Sequence, residues 1–260
     1  MNRVLIQLGP ITIYWYSVLI LVAVLIGYEV IVKYCKKINY QVNLITDMLF
    51  WLVIWAIVGA RTYYVIFNFS AFKDNLLGIF MVWNGGIAIY GAIIGSVCYI
   101  AYYCYKYKLD FIKVLDIFTL SLMLGQAIGR WGNFFNSEAY GGITTYSHLK
   151  GLMIPEFIIR GMYIDGAYRQ PTFLYESLWC LIGVIILFFI RKKFSNIKGV
   201  QLYFYLSWYG IGRFFIEGLR SDSLYLGSFR VSQIVSLLIV MIGIVGFISL
   251  RYRGKILRKN

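Results

Sequence analysis

Histidine occurs once, at His148, and the four cysteines, Cys35, Cys98, Cys104 and Cys180, form no CxxC pair. One histidine cannot build a zinc site. Scattered cysteines inside or beside apolar runs read as small buried hydrophobes, not as metal ligands or a disulfide framework. Neither a metal site nor a cofactor is expected. The chain has no HExxH, GxSxG or P-loop pattern, so zinc-peptidase, serine-hydrolase and nucleotide-phosphate chemistries lack their residues. There are no internal repeats, so a repeat-built transporter is not suggested. Charge is also scarce: 14% of 260 residues are charged, and only 11 are acidic.

Apolar surface fills that space. The chain is 60% hydrophobic and 19% aromatic, with a mean hydropathy of +0.73. A soluble domain cannot bury so much, so the fold class is an all-α integral membrane protein. The formal net charge is +14. In a soluble protein that excess would raise nucleic acid as a partner; here it reads as topology signals and contacts with the anionic lipid bilayer. Seven apolar runs of near-spanning length stand at about Ile11–Val32, Ile45–Phe67, Ile87–Tyr105, Val114–Gly129, Phe173–Ile190, Val200–Leu219 and Val231–Leu250. The fourth is short, which suits a helix ending in a polar pocket. The first is followed by Lys33, Lys36 and Lys37 without a small-residue cleavage site, so it is an anchor, not a signal peptide.

Basic residues cluster in alternate loops: Lys33, Lys36 and Lys37; Lys106, Lys108 and Lys113; Arg191, Lys192, Lys193 and Lys198; and Arg251, Arg253, Lys255, Arg258 and Lys259. The intervening loops mix signs, as with Lys73 beside Asp74. By the positive-inside rule the basic set is cytoplasmic, with the N-terminus outside and the C-terminus inside. The expected architecture is one membrane domain over 1–260, with an outer-face head of turns and short strands inserted at about 131–170.

Polar residues stand where lipid-facing ones should. The stretch from Gly129 to Gly141 reads GRWGNFFNSEAYG and places a guanidinium, two carboxamides and a carboxylate at a membrane boundary. Such residues face a protein interior or a wet cavity and mark working sites. Gln126, Arg130 and Asn133 share a helical face at i, i+4 and i+7. In the sixth run Tyr209, Arg213, Glu217 and Arg220 lie on one stripe, with ion pairs expected between Arg213 and Glu217 and between Glu217 and Arg220. Two arginines converging at outer-leaflet depth suggest a lipid phosphate, which suits the planar guanidinium fork. Arg61 reads either as an addition to that field or as an interfacial anchor. Gly85 and Gly86, in Trp83-Asn84-Gly85-Gly86, open the third run as a weak anion site. Glu176, just inside the fifth run, is expected to pair with an arginine or a backbone amide. Tyr16, beside Trp15, sits in an aromatic interface belt.

With these residues in place, the sequence resembles the bacterial phosphatidylglycerol–prolipoprotein diacylglyceryl transferase family over essentially its whole length. The family's signature is matched at Gly129, Arg130, Asn133, Phe134, Asn136, Glu138 and Gly141. The resemblance implies a multi-pass enzyme of the bacterial inner membrane with its active site toward the extracytoplasmic side. Its partners would be phosphatidylglycerol and a prolipoprotein signal peptide bearing a lipobox cysteine. The diacylglyceryl group would pass to the lipobox thiol, giving a thioether and glycerol 1-phosphate in the first step of lipoprotein maturation. Arg130 and Arg213 would stabilise the leaving phosphate. Asn133 and Asn136 would orient the head group, and Glu138 would fix Arg130 or take part in proton transfer. Glu217 would hold Arg213, while Tyr16, Tyr209, Arg220, Gly85, Gly86 and Gly141 would shape the substrate cavity.

One departure stands out. Tyr90 occupies a position where family members carry a histidine proposed as general base, and tyrosine, with a pKa near 10, is a poor base at neutral pH. Arginines depress that pKa, or Tyr90 only hydrogen-bonds, or no dedicated base is needed. The last is favoured here, because a thiol beside two guanidiniums is partly ionised. Two rival classes are a lipid or anion transporter and an intramembrane protease. The first would need polar residues along the full depth of several helices, whereas the charged clusters sit mainly toward the outer face, with Asp116 and Asp47 as weak exceptions near the inner side. The second would need a GxGD, HExxH or GxSxG element.

Overall fold

The computed structural model describes residues 3–9, 11–73 and 75–257; Asp74, Arg258 and Lys259, counted above among the loop charges, lie outside the described residues. Two compact units are present, one of Met1–Ile31 with Leu115–Asn260, the other of Val32–Val114. The helices are α1 Trp15–Lys37, α2 Val42–Phe67, α3 Ile89–Lys106, α4 Phe111–Asn136, α5 Tyr146–Gly151, α6 Glu156–Gly161, α7 Thr172–Lys193, α8 Val200–Leu219 and α9 Val231–Leu257. The strands are β1 Val4–Leu8, β2 Ile11–Tyr14, β3 Ile143–Thr144, β4 Tyr163–Ile164, β5 Ala167–Arg169, β6 Tyr225–Leu226 and β7 Phe229–Arg230.

Five helices, α1, α2, α4, α7 and α9, are long and apolar enough to cross a membrane. The helices α3 and α8 are of similar length but less apolar. Five tyrosines dilute α3, and Gln201, Arg213 and Glu217 dilute α8. Leu237, Leu238, Met241, Ile242 and Val245 of α9 are exposed, as lipid-facing side chains would be.

Two run boundaries are corrected. Ile11–Tyr14, read as the start of the first helix, is a strand that pairs antiparallel with β1, Val4 opposite Tyr14 and Leu8 opposite Ile11. Hydropathy cannot separate a short apolar strand from a helix end, and the β-branched Ile-Thr-Ile favours the strand. The fourth run does not stop at Gly129; α4 continues through Gly132 to Asn136. Packing offsets the poor helix propensity of glycine here: a Cβ at Gly132 would lie 2.5 Å from Cδ2 of Tyr16, so the missing side chain lets that ring close on the helix. Beyond α4 stands a three-stranded sheet in the order β3-β5-β4 with α5 and α6. Its core is Phe134, Leu149, Ile154, Ile158, Ile159, Met162 and Phe173.

The register of α7 against α8 is set by a reciprocal tryptophan lock. The Trp179 indole N–H donates to the Trp208 carbonyl at 2.9 Å, and the Trp208 indole N–H donates to the Trp179 carbonyl at 3.0 Å. The two rings stack at 4.4 Å. Each ring covers a glycine of the facing helix, Trp179 over Gly212 and Trp208 over Gly183, where a Cβ would collide with the indole. Sliding either helix by one residue would break both hydrogen bonds and both contacts.

The other end of α8 is capped from a distance. Fully buried Asp116 accepts from Gly199 N at 2.6 Å and from Leu202 N at 2.7 Å, satisfying first-turn donors and favouring the helix N-terminus electrostatically. Arg191 donates to the Asp116 and Ile117 carbonyls and to Gln201 Oε1 beside it. Asp116, an inner-side exception in a transporter reading, is therefore a helix cap. Asp116→Ala is expected to cost about 2 kcal/mol, read as a lower unfolding midpoint of the purified protein in detergent.

In the second unit α2 and α3 pack backbone to backbone. A Cβ on Gly95 would lie 2.7 Å from the Trp55 carbonyl oxygen and 3.0 Å from Gly59 Cα. Such small-residue contacts allow membrane helices to approach closely. Arg61 is buried and donates to four carbonyls: Ile79 at 2.8 Å, Gly85 and Gly86 at 2.7 Å each, and Gly78 at 2.6 Å. It is thus neither an interfacial anchor nor part of an anion field. It staples the 76–86 segment, where Gly85 (φ +83°) and Gly86 (φ +72°) adopt left-handed backbone. Those glycines do not open a helix either, since α3 begins at Ile89. Asp47 accepts from the Tyr103 hydroxyl at 2.7 Å, a bond between α2 and α3.

Candidate active site

Three helices of the first unit converge on one carboxylate. Glu176, one turn into α7, is 3% exposed. Its Oε1 lies 2.7 Å from Nη2 of Arg130 on α4, and its Oε2 lies 3.1 Å from Nη1 of Arg213 on α8. The Tyr209 hydroxyl approaches Oε1 at 3.5 Å. Arg213 turns its other nitrogen to Glu217 at 2.5 Å, the i, i+4 pair expected along α8. Glu217 is 2% exposed and cannot leave its partner for water. The sequence leaves Glu176 to pair with an arginine or a backbone amide, and in the structure it pairs with both arginines. A lone carboxylate inside an apolar run is the signal, and the bridge itself depends on the α7–α8 register set by the tryptophans.

A second chain of contacts leads outward from Arg130. Its Nη1 donates to Asn133 Oδ1 at 3.3 Å, and Asn133 Nδ2 donates to Glu138 Oε1 at 2.9 Å. Asn136 Nδ2 reaches the same oxygen at 3.3 Å. Glu138 therefore bears on Arg130 through Asn133, not by direct contact. The chain reverses after α4 to bring Glu138 back, with Ser137 at φ +53° and Ala139 at φ +57°. Left-handed backbone at non-glycine residues costs on the order of 1 kcal/mol or more each and collects at functional turns. A cavity of about 380 Å³ opens here, lined by Arg3, Tyr14, Tyr16, Ser17, Asn136, Ser137 and Glu138.

Gly141 ties this turn to the ends of α7 and α8. Its N–H donates to the Gln170 carbonyl at 2.9 Å, and Gly142 N donates to the Leu219 carbonyl at 3.2 Å. A Cβ at Gly141 would lie 2.8 Å from Gln170 Cβ and 2.9 Å from the Leu219 oxygen, so only glycine fits. The Thr172 hydroxyl closes the junction on the Ala139 carbonyl.

Arg220 departs from the stripe. The helix ends at Leu219, and Arg220, in extended backbone, turns away to hold Asp222 with Nε at 2.9 Å and Nη2 at 2.8 Å. Its ion pair is with Asp222, not Glu217. Burial raises the Asp222 pKa, but the Arg220 hydrogen bonds and charge outweigh it, so the carboxyl titrates below its ordinary range. A lowered folded pKa contributes stability above the unfolded value and loses it as pH falls through the folded one. The unfolding temperature of the wild type minus that of Asp222→Asn is expected to be positive near neutrality and to shrink in acid.

Tyr90, Gly85 and Gly86 belong to the second unit, Tyr90 half-buried in the first turn of α3. His148 is exposed on α5, as a surface residue would be. Among the described residues, no group of histidines, cysteines and acids is arranged to hold a metal ion.

The cluster has two guanidiniums and two carboxylates from α4, α7 and α8, so its formal charge is balanced. It offers directional N–H donors in a partly buried setting, suited to an anionic oxygen. Residues 3–249 match the family described as prolipoprotein diacylglyceryl transferase. The chain is also 48% identical over 245 residues to a Listeria innocua protein named phosphatidylglycerol–prolipoprotein diacylglyceryl transferase, covering 94% of this chain and 88% of that one. Proteins of the same name from Halalkalibacterium halodurans (47% over 243 residues; 93% and 83% covered) and Staphylococcus xylosus (44% over 248 residues; 95% and 88%) are similarly close.

Proposed function

The chain belongs to the prolipoprotein diacylglyceryl transferase family, and from that membership we propose the reaction its polar cluster carries out. The enzyme transfers the sn-1,2-diacylglyceryl group of phosphatidylglycerol to the lipobox cysteine thiol of a prolipoprotein. The thiol sulfur attacks the glycerol carbon that bears the phosphate. A C–S bond forms as the C–O bond breaks, and the bonding pair stays on the phosphate oxygen of departing glycerol 1-phosphate. The thiol proton leaves to that phosphate or to water. This is substitution at carbon, so it needs no serine nucleophile or oxyanion hole, and the nucleophile arrives on the substrate.

The observation that supports this reading is the convergence of Arg130 and Arg213 on Glu176. Each guanidinium spends part of its fork on carboxylates or Asn133 and keeps further N–H donors for a phosphate oxygen. Held in place by Glu176 and Glu217, both are oriented before charge builds on the leaving group, which is where electrostatic catalysis gains most. Asn136, Glu138 and Tyr16 line the cavity, Asn133 links Glu138 to Arg130, and Tyr209 lies against Glu176.

The proposed setting is a single membrane domain of seven spans in the bacterial cell membrane. Its N-terminus lies outside, its C-terminus in the cytoplasm and its cluster toward the outer face. The outer loop at 131–170 forms the head. The alternating basic loops support that orientation, and the similar lengths of α3 and α8 to the five apolar helices support the count.

Because Glu176 and Glu217 balance the arginines, ionisation of the thiol by a bare cationic field loses weight, and direct donation to the leaving phosphate gains it. Tyr90 is then a hydrogen-bonding residue at most. Tyr90→Phe is expected to keep activity within about tenfold; a fall of many orders would assign Tyr90 the base. The reaction itself is tested by incubating purified enzyme with phosphatidylglycerol and a lipobox peptide. A mass gain of one diacylglyceryl unit on cysteine is expected. Peptide cleavage, or no change together with intact lipidation in Arg130→Ala cells, would overturn the assignment.

A further inference from the structure

One polar pair on the same helix faces has no part in the ion cluster. Gln126 lies one turn before Arg130 on α4, and Tyr205 one turn before Tyr209 on α8. Gln126 Nε2 donates to the Tyr205 hydroxyl at 2.9 Å. The other amide atom, Oε1, is buried and accepts no hydrogen bond among the described residues. A buried acceptor without a partner is costly and calls for a reason. With its oxygen taken as acceptor, the Tyr205 hydroxyl still has its own proton to give. The pair thus presents one free acceptor and one free donor. Exchanging the amide nitrogen and oxygen changes which residue supplies each but not the sum: the tyrosine would donate to the amide oxygen, leaving an amide N–H donor and a hydroxyl acceptor.

A hydroxyl, on water or on a ligand, matches one donor and one acceptor at a single point. Tyr205 stacks parallel on Tyr209 at 5.9 Å and 6°, and Tyr209 in turn approaches Glu176. The pair is therefore fixed relative to the arginines. One helical turn separates Gln126 from Arg130, about 6 Å along α4, a separation that the glycerol of a phosphoglycerol head group can bridge. Gln126, Arg130, Tyr205, Tyr209 and Arg213 are each partly exposed.

Resting on the reaction proposed above, we propose that Gln126 and Tyr205 read a hydroxyl of the donor lipid's head-group glycerol, selecting phosphatidylglycerol over phospholipids whose head group lacks that hydroxyl. They are specificity-determining residues; the phosphate is left to Arg130 and Arg213. A site built to hydrogen-bond a substrate hydroxyl rejects an analogue without it, because its buried polar atoms are then left unpaired.

The experiment compares phosphatidylglycerol with phosphatidyl-n-propanol, which keeps the phosphodiester and acyl chains but has no head-group hydroxyl, as donors to a lipobox peptide. The wild-type full-length enzyme is expected to favour phosphatidylglycerol by about tenfold or more in kcat/KM. Gln126→Leu, and separately Tyr205→Phe, which keeps the ring stack, are each expected to reduce the ratio of the two donors' kcat/KM about tenfold. Equal loss on both donors would mean a structural role and overturn the proposal, as would a wild type that does not distinguish them. A wild type that transfers from neither donor would instead refute the reaction on which the proposal rests.

Discussion

Glu176→Ala is expected to abolish diacylglyceryl transfer and to lower stability by about 3–5 kcal/mol, the usual cost of removing one partner from a buried ion pair. Glu176 is the only carboxylate among the described residues that touches both Arg130 and Arg213, at 2.7 Å and 3.1 Å. Without it, two guanidiniums on neighbouring helices repel in a setting that water screens poorly. Both must then swing outward or recruit a counter-ion. Either response removes the prior alignment on which the proposed leaving-group contact depends. Glu176→Gln keeps the shape and one acceptor but not the charge, and it should fall between alanine and wild type in both respects. The rate of peptide lipidation and the thermal midpoint in detergent read the two effects. A Glu176→Ala enzyme with wild-type rate would show that convergence on Glu176 is incidental to the chemistry.

Arg213→Lys is the second large effect, with an expected fall in kcat of about 10²–10³. Charge is conserved, so a purely electrostatic role would leave much of the rate. The guanidinium, however, divides its two terminal nitrogens between Glu176 and Glu217. An ammonium is a compact point charge and cannot hold two carboxylates and a phosphate oxygen in one plane. The loss should appear mainly in kcat. A change confined to KM would mean that Arg213 binds the donor equally in ground and transition states.

Much of this was legible in the chain. Hydropathy located every long helix, because twenty apolar residues in sequence have few other uses. GRWGNFFNSEAYG points to the candidate site, because such groups are not left beside lipid without cause. The Arg213–Glu217 pair followed from helical spacing alone. What escaped depended on long-range packing. The contact of Glu176 with Arg213 follows from Trp179 and Trp208 each seating on a glycine of the other helix, a relation with no local signature. Arg220 was placed on the stripe by continuing the helix one residue too far, and one residue is about 100° of rotation. Arg61 reads from the sequence as either an addition to the anion field or an interfacial anchor, because the carbonyls that surround it lie 17 to 25 residues away. The helix was expected to fail at Gly129, and the Tyr16 ring over Gly132 shows why it did not.

The balance of charge at the cluster has a consequence for how the donor arrives. Two arginines facing two glutamates cancel at a distance, although each N–H still points somewhere definite at close range. Such a group exerts little pull on an anion several ångströms away and little on ions in bulk solution. Added salt should therefore slow the enzyme far less than a bare pair of arginines would suggest. Free phosphate should compete poorly. Encounter is left to lateral diffusion in the bilayer, and recognition begins only on contact.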